Sequence, residues 1–319
     1  MHGSTRVSAM AEEALMRAEA TAATGTSAAI EFEPAEPRPS PFAALGKWAR
    51  RQPLGAASGL CVIFLILIAV FAPQLAPHDP VSNNYESMTQ APSFTYWLGT
   101  DQFGRDLLSR IIWGARTALF IGFTSAILGS TLGLILGVTS AYFAGWFDLV
   151  FQRVMDVFLA FPLIIMALAV VAIFGTGPAN VIVAITIPFV PRCARVVRSN
   201  ALTIREMPYV DAARALGFGH ARIILRHMVP NCMAPYLIML TTFLGQAILL
   251  EAALSYLGLG VQEPIPAWGL MLQGGAEEYA ESAPWIAVFP GLAITLAVFA
   301  FNLFGDSVRD TLDPKLRAR

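Results

Sequence analysis

Six apolar runs divide this chain, and most of its polar residues fall between them. The runs lie near 54–76, 117–143, 150–174, 179–197, 233–256 and 285–305. A helix of about 20 apolar residues crosses a hydrocarbon core of roughly 30 Å, so the pattern predicts an all-α integral membrane protein with about six transmembrane helices. The first run, LGAASGLCVIFLILIAVFAPQLA, carries no charge and reads as an uncleaved signal anchor. Arg192, Arg195 and Arg198 enter the end of the fourth, where Pro188 and Pro191 are expected to kink the helix or end its regular part. In the second run Gly122, Ala126, Gly129, Gly133, Gly137 and Ala141 recur at three- and four-residue spacing. That spacing puts them on one helix face, where small side chains let a neighbouring backbone approach closely. Packing inside the bundle and packing between subunits both fit the stripe.

Composition agrees with the pattern. The chain is 56% hydrophobic and 13% charged, with a mean hydropathy of +0.60, whereas soluble domains are roughly 45–50% apolar and about 25% charged. The formal net charge of −1 gives no global basic field and hence no expectation of nucleic-acid binding. Residues 1–42, rich in Ala, Glu, Pro, Ser and Thr without apolar period, read as a disordered tail. No apolar core followed by a small-residue cleavage site occurs there, so no removable signal peptide is expected. Cys61, Cys193 and Cys232 are widely spaced, which suggests neither a disulfide framework nor a zinc site.

Basic residues cluster before the first run (Arg38, Lys47, Arg50, Arg51), between the fourth and fifth (Arg192 to Arg226) and after the last (Arg309, Lys315, Arg317, Arg319). Six spans place all three clusters on one side. By the positive-inside rule both termini are then cytoplasmic, and 77–116 and 258–284 face outward. Arg105, Arg110 and Arg116 in the first outward segment run against the rule. The expected organisation is a tail over 1–42, the first helix within 43–78 and an outward segment over 79–115. A five-helix transmembrane domain follows over 116–306, then a tail over 307–319.

The stretch 198–231 between the fourth and fifth runs is too long for a tight turn and too regular for a flexible linker. Pro208 suits a first helical turn, Tyr209 to Leu216 reads as a short helix, and Gly217 as the residue that ends it. A second helix is expected over about 219–228, running up to Pro230. Ala212, Ala213 and Ala215 make the first helix thin and Arg214 edges it. Such a helix suits either insertion into a partner's cleft or rest on the lipid headgroups.

Asp211-Ala212-Ala213, then Gly217, then Val229-Pro230 resembles the cytoplasmic "EAA" loop of ATP-binding-cassette importer permeases. Asp211 stands for the Glu of that motif, keeping the charge with a shorter reach. His227 and Val229 stand for its Ile and Leu. Three further stretches resemble the C-type permease subunit of the dipeptide/oligopeptide (peptide/nickel) importers: Leu98-Gly99-Thr100-Asp101 with Gly104-Arg105-Asp106 and Ser109-Arg110; Glu251 to Gly260 with Pro266-Ala267-Trp268-Gly269; and Asn302 to Asp306 with Arg309-Asp310 and Leu312-Asp313-Pro314. Together these cover about 43–319. The resemblance implies a type I importer fold in the bacterial cytoplasmic (inner) membrane. It also implies a related second permease subunit, two ATPase subunits that bind ATP and magnesium, and an extracytoplasmic substrate-binding protein. Tyr209, Asp211, Ala212, Ala213, Arg214, Leu216 and Gly217 would then couple this chain to an ATPase.

No catalytic chemistry of the chain's own is evident. Its lysines, Lys47 and Lys315, are followed by Trp48 and Leu316, so neither completes a phosphate-binding G-x-x-x-x-G-K-[ST] loop. His220 and His227, seven apart, are a long reach for one metal. The chain is therefore expected to be a non-catalytic subunit without a cofactor or metal of its own. Thr242 and Gln246 on one face of the fifth run could line a pathway or bond across helices. Glu251, near the outer end of that run, could serve transport but reads first as structural. A gradient-driven transporter would want acids at mid-membrane or broken helices, and the 209–217 helix would have no purpose in it. Short peptides are the expected cargo, with nickel or another small solute as the alternative.

Overall fold

The computed structural model describes residues 46, 48–50 and 52–312; the 1–42 segment and the chain beyond 312 lie outside them. The described residues from Trp48 to Leu312 form one compact unit. Helix α1 spans Pro53–Val70, α2 Leu107–Phe143, α3 Gly145–Leu159, α4 Leu163–Phe174, α5 Pro178–Arg205, α6 Pro208–Ala215, α7 His220–Tyr256, α8 Trp268–Glu278 and α9 Trp285–Leu312. Among the described residues the only β feature is an isolated bridge between Thr100 and Asp106. Helices α1, α2, α5, α7 and α9 are each long and apolar enough to cross a membrane, and the pair α3–α4 makes a sixth span if counted as one.

That pair departs from expectation. The 150–174 run is not one straight helix: α3 and α4 meet at 90°. Pro162 stands at the joint, where its ring disfavours helical geometry for Phe161 and removes a backbone donor. Helix α3 is also held by charge, because Asp148 and Asp156 pair with Arg198 and Arg195 of α5.

Prolines elsewhere act differently from the sequence expectation. Helix α5 runs unbroken through Pro188 and Pro191 to Arg205, with both rings buried. Packed neighbouring helices support such prolines in membrane bundles. The helix expected to stop before Pro230 instead continues into the fifth span. A wide turn at Ile224–Met228 and a tight one at Val229–Cys232 absorb the missing donor and the ring. Pro73 lies where α1 gives way, so that helix ends at Val70 rather than near 76.

Helix α2 is the axis of the fold. Its 37 residues correspond to about 55 Å at 1.5 Å per residue. Asp106 caps it by accepting from the Ser109 N–H at 2.9 Å. The small-residue stripe faces inward: a side chain on Gly137 would begin 2.5 Å from the Ala194 carbonyl oxygen of α5. The stripe thus packs within the bundle. Phe189 of α5 stacks on Phe243 of α7 with centroids 4.1 Å apart. Leu60, Ile63, Phe64 and Leu67 of α1 stay exposed, as suits a surface facing lipid.

At the start of α2 a buried ion cluster ties the 78–106 segment to the 257–267 segment. Arg105 and Arg110, 4% and 1% exposed, meet Asp101 and Glu263. Arg105 donates to Asp101 at 2.6 Å and to Glu263 at 2.7 Å, and Arg110 donates to the Pro80 carbonyl at 3.0 Å. Burial would raise the Glu263 pKa, but the Arg105 hydrogen bond and the Arg110 charge outweigh it and hold the carboxyl below its usual value. Two of the three arginines that run against the charge rule are therefore internally neutralised. Arg116 alone is exposed. Helix α8, unforeseen from the sequence, seals this end through Trp268, whose indole N–H donates to the Ile111 carbonyl at 2.9 Å.

Candidate functional site

The other end of α2 meets the short helix α6. Pro208 occupies its first turn, where a missing N–H costs nothing. Its C-terminus closes as the sequence predicts. Gly217 has φ +74°, its N–H reaches the Arg214 carbonyl at 2.9 Å, and the Phe218 N–H reaches the Ala213 carbonyl at 3.1 Å. These two bonds form a Schellman motif, which glycine's tolerance of positive φ makes inexpensive.

Two residues bury α6 against the bundle: Val210 and Ala213, three apart on one face, are 0% and 3% exposed. Ala213, assigned by resemblance to the coupling set, is thus turned inward and seats the helix. Tyr209, Asp211, Ala212, Leu216 and Gly217 are exposed, and Leu216 is the most exposed apolar side chain among them, at 73%. Arg214 donates to Asp211 at 2.9 Å across one helical turn, and its guanidinium lies 5.6 Å from the Tyr142 ring centroid.

Tyr142, in the last turn of α2, was not singled out by the sequence. Its hydroxyl is hydrogen-bonded to His220 Nδ1 at 2.7 Å. Its ring packs edge-on to His220, and Phe143 lies against the same imidazole. Arg222 covers the Phe218 ring at 4.1 Å, and Phe218 stacks on His227. The histidines are therefore parts of aromatic clasps, and among the described residues no group of His, Cys, Asp or Glu is arranged to hold a metal. A tyrosine ending a long apolar run was the only signal available for this clasp.

The candidate pathway residues are not brought together. Thr242 is exposed, and its hydroxyl donates to the Ile238 carbonyl of its own helix at 2.8 Å. Gln246 is half-buried one turn on. Glu251 is fully buried: Oε1 accepts from Ser255 Oγ at 2.8 Å, and the same Oγ accepts from the Val261 N–H at 3.2 Å. This chain of bonds ties α7 to the turn that follows it, and Glu251 Oε2 is buried without a hydrogen-bond partner among the described residues.

Residues 129–318 match the family described as binding-protein-dependent transport system inner membrane component, and residues 49–92 match the N-terminal transmembrane domain of oligopeptide transport permease C. A glutathione transport system permease protein of Pectobacterium atrosepticum is 43% identical over 274 residues, 85% of this chain and 91% of that protein. A dipeptide transport system permease protein of Alkalihalophilus pseudofirmus is 42% identical over 283 residues, 88% of this chain and 91% of that protein. A chain of the MetNI methionine ABC transporter in an inward-facing conformation superimposes with a TM-score of 0.51 at 19% identity, covering 64% of this chain and 96% of that one. That likeness is one of fold.

Proposed function

Since this chain belongs to the family of binding-protein-dependent transport system inner membrane components, we propose that it forms half of the pathway of an ATP-driven importer of short peptides and is driven through α6 by a cytoplasmic ATPase. The observation that carries this reading is the two-faced build of α6. Val210 and Ala213 lock it to the bundle while Tyr209, Asp211, Ala212 and Leu216 stand exposed. A rigid, thin helix with an exposed apolar tip can enter a cleft and carry its motion to α2 through Arg214, which lies over Tyr142, and onward to α7 through the Tyr142–His220 bond. ATP occupancy at the partner would then bias two states of the bundle. The relatives' named cargoes, glutathione and dipeptides, support peptide as the substrate class. Partners on this reading are a second permease, two ATPases holding ATP and magnesium, and an external binding protein; the loop side of the bundle and both termini are cytoplasmic.

Purification of the tagged chain in mild detergent, followed by mass spectrometry, tests the assembly. Two ATPase chains and a second permease are expected in fixed ratio. Leu216→Asp should abolish ATPase retention while leaving membrane level and thermal stability unchanged, because its side chain buries nothing in the bundle. Full ATPase retention by that variant would overturn the assignment of α6.

A further inference from the structure

A cavity of about 590 Å³ opens beside the start of α2, away from α6, within the roughly 300–1,000 Å³ range of small-molecule sites. Its lining is mostly apolar and includes Trp113, Phe120, Pro178 and Ile265. Two opposite charges share this lining, Asp79 and Arg116. Both are exposed, and among the described residues neither makes an ion pair with the other or with anything else. Arg116 lies over Trp113 at 5.5 Å, and among the described residues the Asp79 carboxylate accepts only the Val81 N–H, at 3.0 Å.

The positions of these charges along the chain fix their depth. Arg116 is the last charged residue before the uncharged stretch 117–147 of α2 and its continuation, and Asp79 is the first Asp, Glu, Lys or Arg after the uncharged stretch that contains α1. Each therefore stands where a membrane span meets the headgroup layer, with Trp113 in the interfacial position aromatic residues favour. The walls are held rather than floating. The His78 N–H donates to Ser109 Oγ at 3.0 Å, Arg110 holds the Pro80 carbonyl, and Arg105 and Arg110 hold Glu263 next to Pro264. The buried ion cluster is thus the scaffold of both polar edges of the cavity, and a site held on fixed elements loses little entropy on binding.

We propose that this cavity binds a zwitterionic aminophospholipid, with Arg116 on the phosphate, Asp79 on the ammonium and an acyl chain along the exposed Phe120. An unpaired cation and an unpaired anion beside an apolar groove at headgroup depth match the two charges of such a headgroup. A purely anionic lipid would set its charge against Asp79. A choline headgroup offers Asp79 no N–H donor. Guanidinium is suited to phosphate by its planar array of donors. The site depends on the membrane placement of the chain and not on the coupling role of α6.

The experiment uses the full chain in its intact complex, stripped of lipid in detergent and then offered vesicles of phosphatidylethanolamine mixed with either phosphatidylglycerol or phosphatidylcholine, with bound lipid counted by native mass spectrometry. Phosphatidylethanolamine is expected to be retained preferentially. Arg116→Gln and Asp79→Asn should each lower its retention by about tenfold, the loss of roughly one charge-assisted bond, while Arg116→Lys keeps most of it. Thermal stability should not change, since both side chains are exposed. Equal retention of the three lipids, or unchanged retention in both neutral variants, overturns the proposal. So does photo-crosslinking from position 120 that captures the second permease instead of lipid.

Discussion

At one end of α2, two arginines almost without solvent exposure share two carboxylates and a backbone carbonyl drawn from two separate segments. At the other end, the Arg214–Asp211 pair lies within a single helical turn with side chains 36% and 66% exposed, and α6 rests on the small contacts of Val210 and Ala213. The first arrangement cannot shift piecemeal, because each arginine that left would strand a buried charge. The second separates a seat from a free face, and its bonds are local or exposed and individually worth little. On the proposed coupling role of α6, a bundle moved by a partner would gain from this division, with one end clamped and the other free to be gripped.

The comparison is sharpest at Arg110. Arg110→Ala should destabilise the chain by about 1.5–3 kcal/mol, since it takes one of two guanidinium partners from the buried Asp101 and the part-exposed Glu263 while Arg105 keeps the other. A fall in melting temperature, or in folded yield from the membrane, measures this. A change no larger than that of an exposed substitution would remove the distinction between the two ends. Gly217→Val should cost about 1–2 kcal/mol locally through its positive φ alone, because a Cβ there meets no atom within 4 Å. Transport and ATPase retention should fall while membrane level holds, a pattern the Arg110 variant cannot give.

Acid should act on the clamped end first. The folded Glu263 pKa lies below its ordinary 4.5, so the unfolded chain takes up this proton more readily. The stabilisation is therefore fully present above about pH 4.5 and is lost as pH falls through the lower folded value. Melting temperature followed downward from pH 5 should decline less steeply in Glu263→Gln than in the unaltered chain. A smaller effect belongs to Tyr142→Phe, which deletes the hydroxyl bonded to His220 but keeps the ring beneath Arg214. It should cost about 0.5–1.5 kcal/mol, visible as faster hydrogen exchange across 206–219 with little change in global melting. Thr242→Val should change stability by less than about 0.5 kcal/mol, because the hydroxyl is exposed and bonded only to its own helix.

Much of the α6 site was legible in the chain itself. Pro208 and Gly217 bracket a helix by local backbone chemistry, which depends on adjacent residues and little else. The inward turn of Ala213 was not legible, because alanine fits either face and only the neighbouring bundle selects one. The Tyr142–His220 clasp joins residues 78 apart in sequence, and no periodic signal records such a pair. The same holds for Arg105 and Glu263, separated by 158 positions. The sequence marked Arg105 and Arg110 as breaches of the charge rule and as members of a family-like stretch, without a partner for either, and the structure supplies their burial and pairing.

Hydropathy alone determined that this chain lives in a membrane and roughly where it crosses, because transfer of apolar side chains into lipid is a sum over local residues and needs no knowledge of neighbours. Proline and glycine likewise set the ends of α6 through their own dihedral limits. Whether Pro162, Pro188 and Pro230 would break their helices was decided only in the tertiary structure. Each removes the same donor, yet only at Pro162 does the chain turn through 90°. There the apolar α4 meets the carboxylate-bearing α3, which is drawn to the arginines of α5, whereas Pro188 is enclosed in the bundle and Pro230 is accommodated by compensating turns. A local defect bends a helix when the surroundings reward the bend, and those surroundings are assembled from residues far apart in the chain.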